Sequence, residues 1–189
     1  GPPAGGSTTG GPLTAGGGTA TGPVGGQQSN QERSTVGGRV AYKEGMFDLT
    51  GEGYWQFGEI GVPGQASQTR INALAGHADG GITLPVPMQP RIGAEINYAT
   101  GSSEPNGGHT FSQLFPTNHI HFGYMDLMSW QNMLTYGGNL QLRPTPESHF
   151  EIAGHIMRLA NKRDNWYTAS QATFFTTPAG NDEKSLGGE

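Results

Sequence analysis

The chain has 189 residues, no cysteine and a formal net charge of −5. The lack of cysteine excludes disulfide chemistry, and the net charge gives no electrostatic case for nucleic acid. Glycine and proline contribute 33 and 13 residues, whereas charged residues make up only 13% of the sequence. This composition is typical neither of an ordinary soluble core nor of a highly charged disordered chain. No apolar run approaches the roughly 18 residues of a membrane-spanning helix.

The first part of the chain, residues 1–34, is rich in Gly, Pro and Ser, and Leu13 and Val24 are its only large apolar side chains. Such a segment cannot bury enough apolar surface to offset its chain entropy. We therefore predict a flexible loop or linker over residues 1–34 and a folded region over residues 35–189.

Six later segments alternate apolar and polar side chains with a period of two, which is typical of β-strands. In the clearest of them, between Phe47 and Phe57, apolar residues and glycines hold one parity and polar residues hold the other. The alternation predicts antiparallel strands near residues 35–43, 46–58, 69–84, 91–100, 132–143 and 149–160, and the start of a seventh at 185–189.

The third of these segments has an uncertain register, because Ile71 falls on the opposite parity from Leu74 and Ile82. A β-bulge near Gly80 and Gly81 would reconcile the two sets, since a bulge inserts one extra residue into a strand. We therefore expect a register shift in this strand.

The connections between the predicted strands alternate in length. Short turns are predicted at 43–46, 85–90 and 144–148, and long loops at 58–68, 100–131 and 161–183. If neighbouring strands pair antiparallel, all short turns lie at one end of the sheet and all long loops at the other. Outer-membrane β-barrels have this arrangement, with short periplasmic turns and long extracellular loops.

Two architectures fit the alternation: a transmembrane barrel with a lipid-facing wall, and a soluble antiparallel sheet with one buried face. The polar parities carry Gln, Asn, Thr and charges of both signs, which favours a water-filled interior, so we predict an all-β transmembrane barrel. Its outward-pointing side chains are expected to be Phe47, Leu49, Trp55, Phe57, Ile92, Ile96, Leu134, Leu140, Ile152 and Ile156. Trp55, Tyr98, Tyr136 and Phe150 would form aromatic girdles or be plain wall residues.

Six or seven strands cannot close such a barrel, because the smallest single-chain bacterial barrels have about eight strands. An open sheet edge is not stable in lipid. We therefore expect the chain to be a piece of a longer protein, or one of several chains that complete one barrel in the bacterial outer membrane.

The polar parity of the strands defines the candidate pore-lining residues. They are Arg39, Asp48, Glu52, Arg91, Glu95, Arg143, Glu151 and His155. Asp48 and Glu52 could also be read as the paired carboxylates of a hydrolase. No recognisable nucleophile accompanies them, so we predict no enzymatic activity and no catalytic residue.

The long loop at 111–132 is the part of the chain that is densest in aromatic residues, His and Asn. Long loops are functional or disordered, and aromatic content argues against disorder. We predict that residues 115–130 are ordered and fold inward over the lumen or along the barrel rim. The candidate constriction residues are Phe115, Asn118, His119, Tyr124, Asp126 and Trp130.

Two histidines in this loop, His119 and His121, would share one face of an extended segment, with Asp126 close in sequence. Metal binding is conceivable for such a set. A hydrogen bond from a histidine to the loop backbone explains the same residues, so no metal and no other cofactor is predicted.

Short motifs follow one another along the folded region in a distinctive order. They are Trp55-Gln-Phe-Gly58, Ile71-Asn-Ala-Leu-Ala-Gly-His77, Pro90-Arg-Ile-Gly-Ala-Glu95, Asn97-Tyr-Ala-Thr-Gly101, Leu114-Phe-Pro-Thr-Asn-His119, Gly123-Tyr-Met-Asp126 and Trp130-Gln-Asn132. From about residue 35 to 189, their order and spacing resemble the C-terminal portion of the alginate export family of bacterial outer-membrane barrels. The resemblance implies a single-chain barrel of about eighteen strands, to which this chain would contribute about six to seven.

Pattern and resemblance together predict a porin-like or exporter-like channel of the bacterial outer membrane for a hydrophilic solute, such as an anionic polysaccharide. The expected partners are outer-membrane lipid and the solute, with no nucleic acid, and protein partners are unassigned. The alternative is a structural or interaction component of the cell surface that is built on the barrel wall and has no transport role.

Overall fold

The computed structural model describes residues 31–61, 68–104, 107–113, 122, 127–175 and 185–188. Among them, no helix is long and apolar enough to cross a membrane. The strands in the described ranges are β1 (Gln31–Glu44), β2 (Phe47–Gly61), β3 (Gln68–Thr83), β4 (Arg91–Ala99), β5 (Met133–Leu142), β6 (Phe150–Leu159), β7 (Trp166–Tyr167), β8 (Thr173–Phe175) and β9 (Ser185–Gly188).

One antiparallel sheet contains most of these strands, in the order β1-β2-β3-β4-β5-β6-β9, and β7 and β8 pair in a small second sheet. Every predicted strand is confirmed. Because strands that are neighbours in sequence pair directly, the short turns lie at one end of the sheet, the turn end, and the long connections lie at the other, the loop end. The two edge strands, β1 and β9, do not pair with each other, so this sheet is open.

Strand β1 begins at Gln31, four residues before the predicted start and inside the segment predicted as a linker. Residues 31–34 pair with 57–60 of β2, so β2 also runs past its predicted end, and the loop predicted at 58–68 is shorter than expected. Residues 31–34 are all polar, and a polar strand end shows no apolar alternation. Residues 1–30 lie outside the described part of the chain.

The register shift expected in β3 is wrong. The pairing of β2 with β3 is continuous from Phe47–Ile82 to Gly61–Gln68. Ile71 therefore lies on the same face as the polar residues, where it is only 3% exposed. An apolar residue is stable there because loops cover this face at the loop end of the sheet.

The apolar parities of β1 to β6 lie together on one face, which we call the outer face. All ten side chains predicted to point outward are on it, and nine of them are exposed, Leu134 being half-buried. A soluble sandwich would bury such a face against a second layer. Exposure of a continuous apolar face fits contact with lipid.

The opposite face, the inner face, carries the polar parities and also a hydrophobic core near the loop end. Strand residues supply the floor of this core, and loop residues supply its cover. The floor consists of Ala73, Ala75, Ala99, Met133, Met157 and Leu159, and the cover of Phe111, Phe122, Met128, Trp130 and Trp166. Alanines on the floor leave room for the large side chains of the cover.

Candidate channel wall and loop cluster

Seven of the eight predicted pore-lining residues lie on the inner face of β1 to β6. They are Arg39, Asp48, Glu52, Arg91, Glu95, Glu151 and His155. Arg143 follows the end of β5, where its backbone N–H donates to the carbonyl of Met88 in the neighbouring turn, so it belongs to the turn end and not to a strand.

Arg91 is held by acceptors from three other strands. Its Nε donates to Asp48 Oδ2 at 3.0 Å, its Nη2 to Asp79 Oδ1 at 2.9 Å, and its Nη1 to Asn139 Oδ1 at 3.0 Å. The guanidinium is therefore fixed along the wall of the sheet. Asp79 and Asn139 were not among the predicted pore-lining residues. The polar parity of β5 already contained Asn139, and the parity opposite to Leu74 and Ile82 contains Asp79.

Two glycines make room for this guanidinium. A Cβ at Gly81 would lie 2.4 Å from Arg91 Cζ, and a Cβ at Gly93 would lie 2.3 Å from Arg91 Nη1. These distances are far shorter than van der Waals contact. Any side chain at either position would push Arg91 away from its carboxylates.

A second polar group crosses β3 to β6 nearer the loop end. His155 Nδ1 lies 3.2 Å from Glu95 Oε1, and both side chains are largely buried. Asn97 Nδ2 donates to Glu95 Oε1 at 3.3 Å, and Asn97 Oδ1 lies 2.7 Å from His77 Nδ1. Gly137 leaves the space for this group, because a Cβ there would lie 2.6 Å from Glu95 Cγ.

The long connections fold over the inner face and interlock. We call residues 100–104, 107–113, 127–132 and 160–173 the loop cluster. Gln56 of β2 anchors it from the sheet: its Nε2 donates to the carbonyl of Ser112 at 2.6 Å, and its Oε1 accepts from the Ser112 N–H at 2.9 Å. Arg33 donates to the same Oε1 at 2.7 Å. The side-chain amide of Gln56 thus pairs with the backbone N–H and carbonyl of Ser112, as a neighbouring strand would.

Asn132 anchors the cluster from the start of β5, with a positive φ of 48° and no exposed surface. Its Oδ1 accepts from the Asn161 N–H at 2.7 Å, and its Nδ2 donates to the carbonyls of Asn161 and Asn165 at 2.9 and 3.1 Å. Gly101 must lack a side chain, because its Cβ would lie 2.0 Å from Asn132 Oδ1. The two long connections are therefore joined at this residue.

Asp164 is the buried acceptor at the centre of the cluster. Its Oδ2 accepts from the Ser102 N–H at 2.7 Å and from Thr110 Oγ1 at 2.6 Å. Its Oδ1 accepts from the Asn165 N–H at 2.7 Å and from the Tyr167 hydroxyl at 2.6 Å. Burial and the neighbouring carboxylate raise the pKa of Tyr167 above its ordinary value.

The raised pKa of Tyr167 predicts a pH dependence. The unfolded phenol ionises near a pKa of about 10, so its contribution to loop stability is complete below that pH and is lost as the pH rises toward the higher folded value. Subtracting the tyrosinate absorbance of the Tyr167→Phe variant from that of wild type isolates the signal of this phenol. The difference should titrate above pH 10 in the native protein and near pH 10 after denaturation. Identical difference titrations in both states would contradict the burial of this phenol.

Trp130 is the predicted constriction residue that the structure describes, and it is buried, with 4% exposure. Its ring packs edge-on against Tyr54 at a centroid distance of 5.8 Å and lies tilted against Phe111 at 5.9 Å. Its Nε1 donates to the carbonyl of Tyr98 at 3.1 Å, and its backbone N–H donates to Gln113 Oε1 at 3.1 Å. Trp130 therefore attaches the loop to the wall.

The other candidate constriction residues lie outside the described residues, as does His121. They are Phe115, Asn118, His119, Tyr124 and Asp126. Within the described ranges, no group of three or more His, Asp or Glu side chains is placed to hold a metal ion.

An antiparallel sheet with an exposed apolar outer face, a charged inner face and long loops folded over that inner face defines a segment of a transmembrane β-barrel. The chain belongs to the alginate export family, because the sequence model described as "Alginate export" matches residues 24–189. The resemblance drawn from the motifs is thereby confirmed. This family is one of transport proteins of the bacterial outer membrane. No curated protein was found to match the chain.

Proposed function

We propose that the protein is an outer-membrane channel for a hydrophilic, polysaccharide-like solute and that β1 to β6 form part of its wall. The observation that carries this proposal is the contrast between the two faces of one sheet. The outer face is apolar and exposed, whereas the inner face carries charges and amides in fixed groups. Such a wall offers hydrogen-bond donors and acceptors to a hydrated solute and apolar surface to lipid.

The loop cluster supports a narrowing at the loop end of the channel. The stretch 114–126 is bounded by Gln113 and Leu127, and both are tied into the cluster. Gln171 Nε2 donates to the carbonyl of Gln113, and the Ala169 N–H donates to the carbonyl of Leu127 at 3.2 Å. Because both ends of this stretch are held on the inner face, we propose that Phe115, Asn118, His119, Tyr124 and Asp126 border the opening.

The intact protein, reconstituted in planar bilayers, is expected to show stepwise conductance. Deleting residues 118–121 should raise the single-channel conductance, because it shortens the stretch proposed to border the opening while Phe122, Trp130 and Asp164 stay in place. A correctly folded wild-type barrel without conductance would favour the structural role at the cell surface. Unchanged conductance in a folded deletion variant would show that these residues do not narrow the channel.

We propose no catalytic role. The carboxylates Asp48 and Glu52 lie on the inner face, as predicted, but Asp48 is occupied by Arg91, and Glu52 lies directly opposite Arg39 in the register. Their positions beside basic residues of the inner face make them parts of a charged wall.

A further inference from the structure

We propose that the inner face of this segment presents carboxylates to the solute and withholds its central guanidinium, so that it favours neutral or cationic solutes over polyuronates. The inference rests on the proposed channel function and concerns the solute class of the same wall. An exporter of a polyanion needs basic groups that are free to meet carboxylates of the solute.

Arg91 is not free in this sense. All three nitrogen atoms of its guanidinium donate hydrogen bonds to wall residues, two of which are the carboxylates of Asp48 and Asp79. Its side chain is 13% exposed, whereas those of Asp48 and Asp79 are each 23% exposed. Both carboxylates keep some exposure to the open side, and the guanidinium between them is committed to the wall.

Two glycines provide the space that this arrangement needs. Arg91 lies against Gly81 and Gly93, where any side chain would collide with the guanidinium. To reach a solute carboxylate, Arg91 would have to leave both aspartates, and the two negative charges would then face each other without the guanidinium between them. The group as a whole carries one positive and two negative charges, so its outward field is that of a carboxylate.

The basic residues of β1 either bind the loop cluster or lie opposite a carboxylate in the strand register. Arg33 donates to Gln56 and to the carbonyl of Thr110, so it serves the loop cluster. Arg39 is exposed and lies opposite Glu52 in the register, and Lys43 lies opposite Asp48. Each exposed basic side chain of this strand therefore has a carboxylate as its direct cross-strand neighbour.

Ion selectivity tests the proposal directly. The reversal potential of the intact channel under a KCl gradient gives the ratio of cation to anion permeability for wild type, D48N/D79N and R91Q. Each unit charge removed should change the ratio about twofold, as for a charge that acts in opposite senses on cation and anion through water over a distance on the order of 20 Å. D48N/D79N should therefore lower the ratio roughly fourfold, and R91Q should raise it about twofold.

The matched control is E59Q. It removes a negative charge from the outer-face parity of β2, the strand that also carries Asp48, and should leave the permeability ratio unchanged. If D48N/D79N does not fold, D79N alone retains the Asp48 contact and should lower the ratio about twofold. An unchanged ratio in a folded D48N/D79N channel would overturn the proposal.

Block by added sugars provides the second readout. A linear oligouronate should block the wild-type channel less than a neutral oligoglucan of equal length, and D48N/D79N should gain block by the oligouronate. Stronger block of wild type by the oligouronate, lost in R91Q, would overturn the proposal and make Arg91 a uronate contact. A wild-type protein that folds without any conductance would instead overturn the channel function itself.

Discussion

Replacing Trp130 by alanine is expected to loosen the loop cluster from the inner face by about 3–5 kcal/mol, the usual cost of truncating a large buried aromatic residue. The indole fills the space between Tyr54 and Phe111 and donates to the carbonyl of Tyr98. The variant loses that packing and the hydrogen bond from the indole to this carbonyl. Hydrogen exchange should accelerate at 107–113 and 127–132, while the strands of the sheet keep their protection.

The matched control for this variant is Leu127→Ala, in the same connection, because Leu127 is 49% exposed and a truncation there removes little buried surface. In planar bilayers, Trp130→Ala should give higher or noisier conductance than this control. Equal exchange rates in the two variants would mean that the indole does not hold the loop on the wall.

Replacing Asp164 by alanine is expected to separate the two long connections that this carboxylate joins. The change leaves buried donors from Ser102, Thr110 and Tyr167 without their acceptor, at about 1–3 kcal/mol each. Limited proteolysis should then cut within 100–113 and 160–173 much sooner than in wild type. The heat-resistant barrel band on gels should remain, because Asp164 contacts no residue of β1 to β6 through these bonds.

Two further variants sharpen this experiment. Glu104→Ala removes an exposed carboxylate from the same connection and should leave the cleavage rate unchanged. Asp164→Asn keeps the side-chain volume but places donors against donors, so it should resemble the alanine variant more than wild type. Wild-type cleavage rates in Asp164→Asn would show that shape, and not hydrogen bonding, joins the connections.

The wall and the loops differ in how far they could be predicted. All six main strands were predicted, and Phe47, Ile92 and Ile152 lie on the face assigned to them. The register shift near Gly80 was predicted wrongly, because Ile71 was assumed to share the lipid-facing parity. A small apolar core beneath the loops places apolar residues on the polar face, and alternation alone cannot distinguish the two environments.

By itself, the sequence determined the strands, the two faces of the sheet and the family. Side-chain parity in a strand follows directly from residue order, and a barrel wall exposes one parity to lipid. Only the tertiary structure decided which polar residues meet. Arg91 and Asp48 are 43 residues apart, and Ser102 and Asp164 are 62 apart. Such contacts depend on strand register and on how loops fold back, and no local pattern in the chain encodes either.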